Sequence, residues 1–392
     1  MIGLDEFRSE VRQWMASHFE LRDPELDDDR HDIILRTPDG HDAMVARARG
    51  LQKALYSAGF AGVHLGEEYG GRGLTRAHAA IVDEELIRFD TPTLRPLAIG
   101  MHLAMSTLLA AGSEEQQHRY LPPLIRGDEQ WCQMFSEPDA GSDLVSLRTR
   151  AVLDGDTWVI DGQKVWSSYA SDADFGMLLA RTDPGAARPH AGITMFVCPM
   201  RAVGVTVRPL VDIAGGHHFN EVFLDHVQIG SEMVLGDVNN GWRVSSGTLS
   251  GERSGYMGGA GGGRRRRQLV DTARAAGTLE NPVVRQRIAA VVTGERILEW
   301  VRDRFVGGVL CDGNPAAGSM MKLAAGTLEQ QCAEAIFDIA GPSAQAWPAA
   351  DADGDTPSHF LNATRQATIA GGTHQIQRNL LGERLLGLPR NP

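Results

Sequence analysis

The chain has 392 residues, with 38 lysines and arginines against 50 aspartates and glutamates, a formal net charge of −12. Hydrophobic residues make up 42% and charged residues 22%, the mixture of a water-soluble globular protein with about two to four packing units. The acidic balance gives no global attraction for nucleic acid, and no run of about 18 apolar residues is present to span a membrane.

The opening residues Met1–Glu6 are acidic and lack the basic and apolar regions of a signal peptide. Cys132, Cys198, Cys311 and Cys332 lie far apart without a C-x-x-C pair, which argues against a zinc site or a redox couple. Scattered thiols of this kind suit a cytoplasmic protein with reduced, mostly buried cysteines. Leu4, Phe7, Val11, Trp14, Met15 and Phe19 recur at three- and four-residue steps and predict an amphipathic helix; 43–59 and 76–89 read the same way. Glycines at 66, 70, 71 and 73 make 65–73 a loop. A helix through Leu103–Ala111 stops at Gly112. The next opens on the capping box Ser113-Glu114-Glu115-Gln116 and closes before Pro122-Pro123.

The pattern then changes. Segments 146–153, 157–160, 163–168, 193–198, 203–208 and 219–228 are short and rich in Val, Ile, Phe and Trp, and Asp-Gly pairs at 154–155 and 161–162 supply hairpin turns. No helices alternate with these strands, so a barrel or sandwich is expected rather than a parallel sheet. From about 241 the helical period returns: Val284, Ile288, Val291, Leu298, Val301 and Phe305 share a face, 319–340 make a long helix, and 373–386 the last. Residues 348–358 form a polar connector. The expected architecture is α+β in three parts: an N-terminal α-helical domain (1–125), a central β-barrel or sandwich domain (126–240) and a C-terminal α-helical bundle (241–392).

Three segments carry candidate chemistry. Gln133-Met134-Phe135-Ser136-Glu137-Pro138-Asp139-Ala140-Gly141-Ser142-Asp143 is either a Pro/Gly turn closing a strand or a loop whose backbone approaches a ligand. Gly162-Gln163-Lys164-Val165-Trp166-Ser167-Ser168 puts an indole and hydroxyls together, a surface on which a flat cofactor could stack. Ile369-Ala370-Gly371-Gly372-Thr373-His374-Gln375 leads into a helix whose first N–H groups could face an acceptor, or only caps that helix.

In order and spacing these segments, with Phe219–Asp225, resemble the acyl-CoA dehydrogenase family, flavoproteins that oxidise acyl-CoA thioesters; the resemblance covers nearly the whole chain. It implies FAD held between the β domain and the C-terminal bundle, an acyl-CoA substrate, reoxidation by an electron-transferring flavoprotein, and a homo-oligomer (dimer or tetramer) or mixed tetramer. Gln133, Phe135, Ser136, Gly141 and Ser142 match the flavin-binding stretch, and Ser142 also matches a pantetheine contact. Trp166 and Ser168 match positions that pack on and bond to the flavin rings. Thr373 and Gln375 match FAD contacts on the far side.

Family chemistry removes a proton from Cα with a carboxylate and a hydride from Cβ to flavin N5. In many members the carboxylate immediately precedes Gly-Thr in the late loop; here that position is Gly371, which has no side chain. In isovaleryl- and long-chain-type members the base lies earlier on a helix. Glu252, within Leu249-Ser250-Gly251-Glu252-Arg253, falls on that position and is the candidate base. Gly371 would still offer its backbone N–H to the thioester oxygen. Arg253 is either a CoA contact or a structural partner.

The family's Arg…Phe-Gly pattern is missing from 272–282, as in a branch that includes enzymes of steroid and other bulky acyl-CoA esters, some built from two different subunits. Arg264–Arg267 read as a solvated helix face or a phosphate contact without the form of a P-loop. His217-His218 lack metal-ligand spacing and read as loop residues. Two other functions stay open on this fold: a flavin monooxygenase or oxidase, and a supporting subunit of a mixed dehydrogenase.

Overall fold

The computed structural model describes residues 2–22, 38–255, 264–306, 309–310, 314–346 and 356–389. It opens with helices: α1 (Leu4–His18), α2 (Pro38–Ser57), α3 (Arg76–Arg88), α4 (Met105–Ala111) and α5 (Glu114–Arg126). The periodicity of α1 has the expected result, since Phe7, Val11 and Met15 are fully buried against Leu51, Leu55 and Ile81 of α2 and α3. The capping box of α5 forms in both directions: Ser113 Oγ accepts from Gln116 N at 3.2 Å and Gln116 Oε1 accepts from Ser113 N at 3.0 Å.

Pro122 and Pro123 do not end this helix. It continues to Arg126 and stops at Gly127, whose φ of +76° suits glycine alone. Leu121, Leu124 and Ile125 are buried, and their packing holds the last turn helical despite the missing proline donors.

Seven strands follow among the described residues: β1 (Trp131–Met134), β2 (Arg150–Asp154), β3 (Thr157–Lys164), β4 (Phe175–Arg181), β5 (Ile193–Pro199), β6 (Val205–Leu210) and β7 (Phe219–Gly230). They form one mixed sheet in the order β1-β4-β2-β3-β7-β6, with β5 on the other edge of β4. Antiparallel pairs dominate, but β1 and the start of β2, at Arg150, run parallel to β4. The central unit is therefore a curled sheet, neither parallel nor closed on itself by simple hairpins. Its core includes Met134, Trp158, Ile160, Leu178, Phe196 and Val222.

Three sequence expectations change here. The pair Asp154-Gly155 turns the β2–β3 hairpin, but Asp161-Gly162 lies inside β3, where the register with β7 shifts because Asp225 and His226 of β7 stand opposite Asp161 alone. A Cβ at Gly162 would lie 2.7 Å from Thr149 Cα, so only glycine fits there. Strand β3 ends at Lys164, and 165–168 is a loop rather than strand. Finally, β4 was not expected; it has strands on both edges and its residues 176–180 are all buried, leaving no alternation to read.

Helices resume with α6 (Gly241–Gly255), α7 (Arg264–Ala275), α8 (Pro282–Val306), α9 (Gly318–Ala340), α10 (Pro357–Ala363) and α11 (His374–Leu380). Leu269, Val291, Leu298, Met321, Leu328 and Ile336 build the core of α7, α8 and α9. The chain divides into two compact units, one of residues 1–211 and 216–248, the other of 212–215 and 249–392. Among the described residues no helix is long and apolar enough to cross a membrane, and Cys132, Cys198 and Cys332 are buried free thiols. Cys311 lies outside the described residues.

Candidate active site

In the first unit, the end of β1 is held from below by a buried ion pair. Lys164 is fully buried; its Nζ donates to Glu137 Oε1 at 2.8 Å and to Phe135 O at 3.1 Å. Glu137 also accepts from Arg148 N (2.6 Å) and Thr149 N (2.8 Å). Burial pulls the Lys164 ammonium down to about 8 against the attraction of Glu137. Burial alone would push Glu137 up, yet the Lys164 charge and these donors hold it below the usual carboxylate range. The pair fixes the backbone of Phe135, which is buried, with Gln133 and Ser136 half-buried beside it. Gly141 and Ser142 lie exposed on the loop beyond the paired Glu137 and Ala140. A cavity of about 250 Å³ is lined by Glu137, Arg148, Thr149, Gly162 and Gln163.

Val165 N donates to Ser136 O at 2.9 Å, which brings the end of β3 to the end of β1. The chain then turns through Trp166 at φ +63°, a conformation that costs a bulky residue strain. Its indole is 57% exposed and meets Phe219 edge-on at 5.5 Å between centroids. Ser167 is buried and Ser168 half-buried. An exposed aromatic face held rigidly beside hydroxyls and backbone groups fits a planar ring system such as that of FAD. Gln133, Phe135, Ser136, Trp166 and Ser168 are thus on neighbouring segments of one unit.

In the second unit, Gly371 and Gly372 have φ of +66° and +90°, the left-handed region that a side chain would strain. Gln377, fully buried, donates from Nε2 to Gly371 O at 2.6 Å and Gly372 O at 3.3 Å. Among the described residues no acceptor takes the Gly371 N–H. Thr373 caps α11, its Oγ1 accepting from Ile376 N at 3.3 Å, and Gln375 is exposed on the first turn. His374 is buried, and its pKa is lowered by burial and by the charges of Lys322 and Arg378.

Glu252 and Arg253 belong to α6; their side chains lie outside the described residues. Gly258–Gly263 also lie outside them. The arginine run is not a wholly solvated face: Arg265 is buried and donates to Glu329 Oε2 at 2.6 and 2.9 Å, with Glu295 at 3.6 Å. His218 is a loop residue, as expected, and is buried. The residues that sequence reading missed are the supports, Lys164, Glu137 and Gln377. Lys164 shares its buried side of β3 with Trp158 and Ile160, a hint of alternation that the register shift obscures.

Models of known families match the chain in three parts: the acyl-CoA dehydrogenase N-terminal domain over residues 4–128, the middle domain over 132–227 and the C-terminal domain over 239–386. The chain belongs to the acyl-CoA dehydrogenase family. Members of the family are flavin oxidoreductases. Acyl-CoA dehydrogenase IpdE1 of Mycobacterium tuberculosis is 36% identical over 392 residues, covering all of this chain and 99% of the relative. IpdE1 of Mycolicibacterium smegmatis is 34% identical over 402 residues with the same coverage. Among solved structures, a chain of the Tcur3481-Tcur3483 steroid ACAD superposes with a TM-score of 0.79 at 28% identity, over 99% of this chain and 98% of that one. A glutaryl-CoA dehydrogenase of Mycobacterium smegmatis in complex with FADH2 shares the fold, with a TM-score of 0.72 at 21% identity, over 99% and 96% of the two chains.

Proposed function

We propose that this acyl-CoA dehydrogenase family member uses FAD to convert an acyl-CoA thioester to the trans-2-enoyl-CoA, with Glu252 as the base. The observation that carries this reading is the turn before α11. At Gly371 the family's late carboxylate has no place, while the left-handed backbone at φ +66° leaves a donor anchored by Gln377. Glu252, on α6, then takes the Cα proton. As that proton leaves, negative charge builds on the thioester oxygen, and the Gly371 N–H donates to it. The chemistry supplied by bound FAD is acceptance of the hydride leaving Cβ. Trp166 would pack on the flavin rings and Ser168 would bond to them; Gln133, Phe135, Ser136, Gly141, Ser142, Thr373 and Gln375 would hold the rest of the cofactor. Ser142 and Arg253 would contact the CoA arm.

The likeness to a chain of the Tcur3481-Tcur3483 steroid ACAD, named for two components, supports a bulky acyl group and a mixed assembly over a straight-chain substrate and a homotetramer. An electron-transferring flavoprotein reoxidises the enzyme, in the cytoplasm. The test is the visible spectrum of the purified chain followed by anaerobic bleaching with a panel of straight-chain and polycyclic acyl-CoA esters. Flavin absorbance, bleached by one class and restored slowly in air, is expected. Rapid reoxidation with peroxide or a hydroxylated product would point to an oxidase or monooxygenase. A colourless chain that takes up no FAD would point to a supporting subunit.

A further inference from the structure

One face of α2 is given over to the segment that follows Trp166. His41, Met44, Val45 and Arg49 stand at the i, i+3, i+4 and i+8 spacing of a single helical face. Met44 and Val45 pack with buried Tyr169. The His41 ring stacks on Tyr169, 5.5 Å between centroids and 24° between planes. His41 Nε2 bonds Asp172 Oδ2 at 2.8 Å, and Arg49 donates to Asp172 O at 3.0 Å. The segment so gripped is under backbone strain at two points, since Trp166 and Tyr169 both have positive φ, +63° and +54°. Such residues keep that conformation only where their surroundings impose it. On the sheet side the imposing contacts are Ser167 N to Asn220 O (3.0 Å), Asn220 Nδ2 to Ser167 O (3.0 Å) and Tyr169 N to His218 O (2.7 Å). On the other side they come from α2.

We infer that the His41–Asp172 pair is a positioning device: through it, helix α2 clamps the 166–172 loop and holds Trp166 and Ser168 in the geometry that receives the flavin. This rests on the flavin reading of Trp166 above. Neither His41 nor Asp172 touches the ring-binding residues; they act through Tyr169 and the strained backbone. A structural ion pair elsewhere in the unit, such as Arg119–Glu129 at 2.8 Å, has no such path to Trp166.

The clamp is also sensitive to pH. The Asp172 hydrogen bond raises the His41 pKa above the ordinary histidine value, over the lowering effect of burial, and the charges of Asp172 and Asp42 add to it. The other charged or titratable groups around it are Arg49 on α2, Tyr169 on the loop, His218 before β7 and Arg95. Burial, with Arg95 and His41, lowers His218 to about 3, so it stays neutral throughout. A histidine whose folded pKa is raised contributes fully below its unfolded pKa and loses that contribution as pH rises through the folded one. The charge-assisted His41–Asp172 bond therefore weakens above that point.

The experiment uses the full chain freed of flavin, as wild type, His41→Gln, Asp172→Asn and the double variant, whose two amides can bond each other without charge. Hydrogen exchange at the Ser167 and Tyr169 amides is measured first, then FAD affinity by titration across pH. Each single variant is expected to exchange faster at both amides and to bind FAD about tenfold more weakly, the weight of a charge-assisted bond. Wild-type affinity falls as pH rises through the His41 pKa, His41→Gln is flat, and the double variant recovers most of the affinity without pH dependence. Exchange at Ser167 and Tyr169 equal to wild type in His41→Gln and Asp172→Asn, with only the thermal midpoint lowered, would overturn the clamp. The exchange readout needs no cofactor, so a chain that binds no FAD would sink the flavin reading while faster exchange still upheld the clamp.

Discussion

Replacing Lys164 with Met removes the charge beneath the end of β1 while nearly conserving volume. The wild-type side chain is fully buried, and Glu137 opposite it is 8% exposed. The variant loses the 2.8 Å bond to Glu137 and the 3.1 Å bond to Phe135 O. It leaves a buried carboxylate bonded only to the Arg148 and Thr149 amides. Removing one partner of a buried pair costs roughly 3–5 kcal/mol, which for a domain of 150–250 residues is roughly 6–20 °C in thermal midpoint. A cavity contributes little, because Met fills the space. The pH profile should shift as well. Glu137 sits below the usual carboxylate range, so its contribution is present above the unfolded carboxylate pKa and lost as pH falls through the folded one. Without Lys164, burial dominates, the Glu137 pKa rises, and acid unfolding begins at higher pH. Urea unfolding of wild type, Lys164→Met, and Glu137→Gln/Lys164→Met measures this; the neutral double variant should recover at least half the loss. A single-variant cost below about 1 kcal/mol, the worth of an exposed pair, would refute the buried-pair reasoning.

Gly372→Ala puts a Cβ at φ +90° and 2.7 Å from Gln377 Nε2, so it should cost about 1–3 kcal/mol and slow substrate bleaching of the flavin; wild-type midpoint and bleaching rate would contradict the turn geometry. Arg265→Met strands both Glu329 and Glu295, and since burial already pushes the Glu295 pKa up, it should destabilise the second unit by roughly 3–5 kcal/mol in calorimetry. Trp166→Ala removes a largely exposed ring with one edge contact, so stability should change little while FAD affinity falls about tenfold, the order of one stacking contact. An unchanged affinity would remove Trp166 from the flavin site.

Much of the helical framework could be read from local pattern, because α1 and α5 carry their own signals: a clean apolar stripe and a reciprocal cap. What escaped was set by tertiary context. Strand β4 is central, so it lacks the alternation that marks a half-buried strand. The prolines of α5 yielded to the burial of Leu121, Leu124 and Ile125. Arg265 is one of four identical neighbours in sequence, and what distinguishes it is Glu329, 64 residues away, together with Glu295. The candidate site shows the same division. Trp166, Gly371 and Thr373 stand in recognisable segments, whereas Lys164, Gln377 and the His41–Asp172 pair matter through partners that no local motif reveals.

The claim that organises the mechanism is that the base has moved from the late turn to α6. Its most direct measurement is anaerobic flavin bleaching by the acyl-CoA ester that wild type prefers, in wild type and Glu252→Gln, each first shown to carry the same flavin absorbance. Glu252→Gln is expected to keep full flavin content and to bleach about 10²–10⁴-fold more slowly, the usual contribution of a general base. Bleaching at a near-normal rate in Glu252→Gln would contradict it.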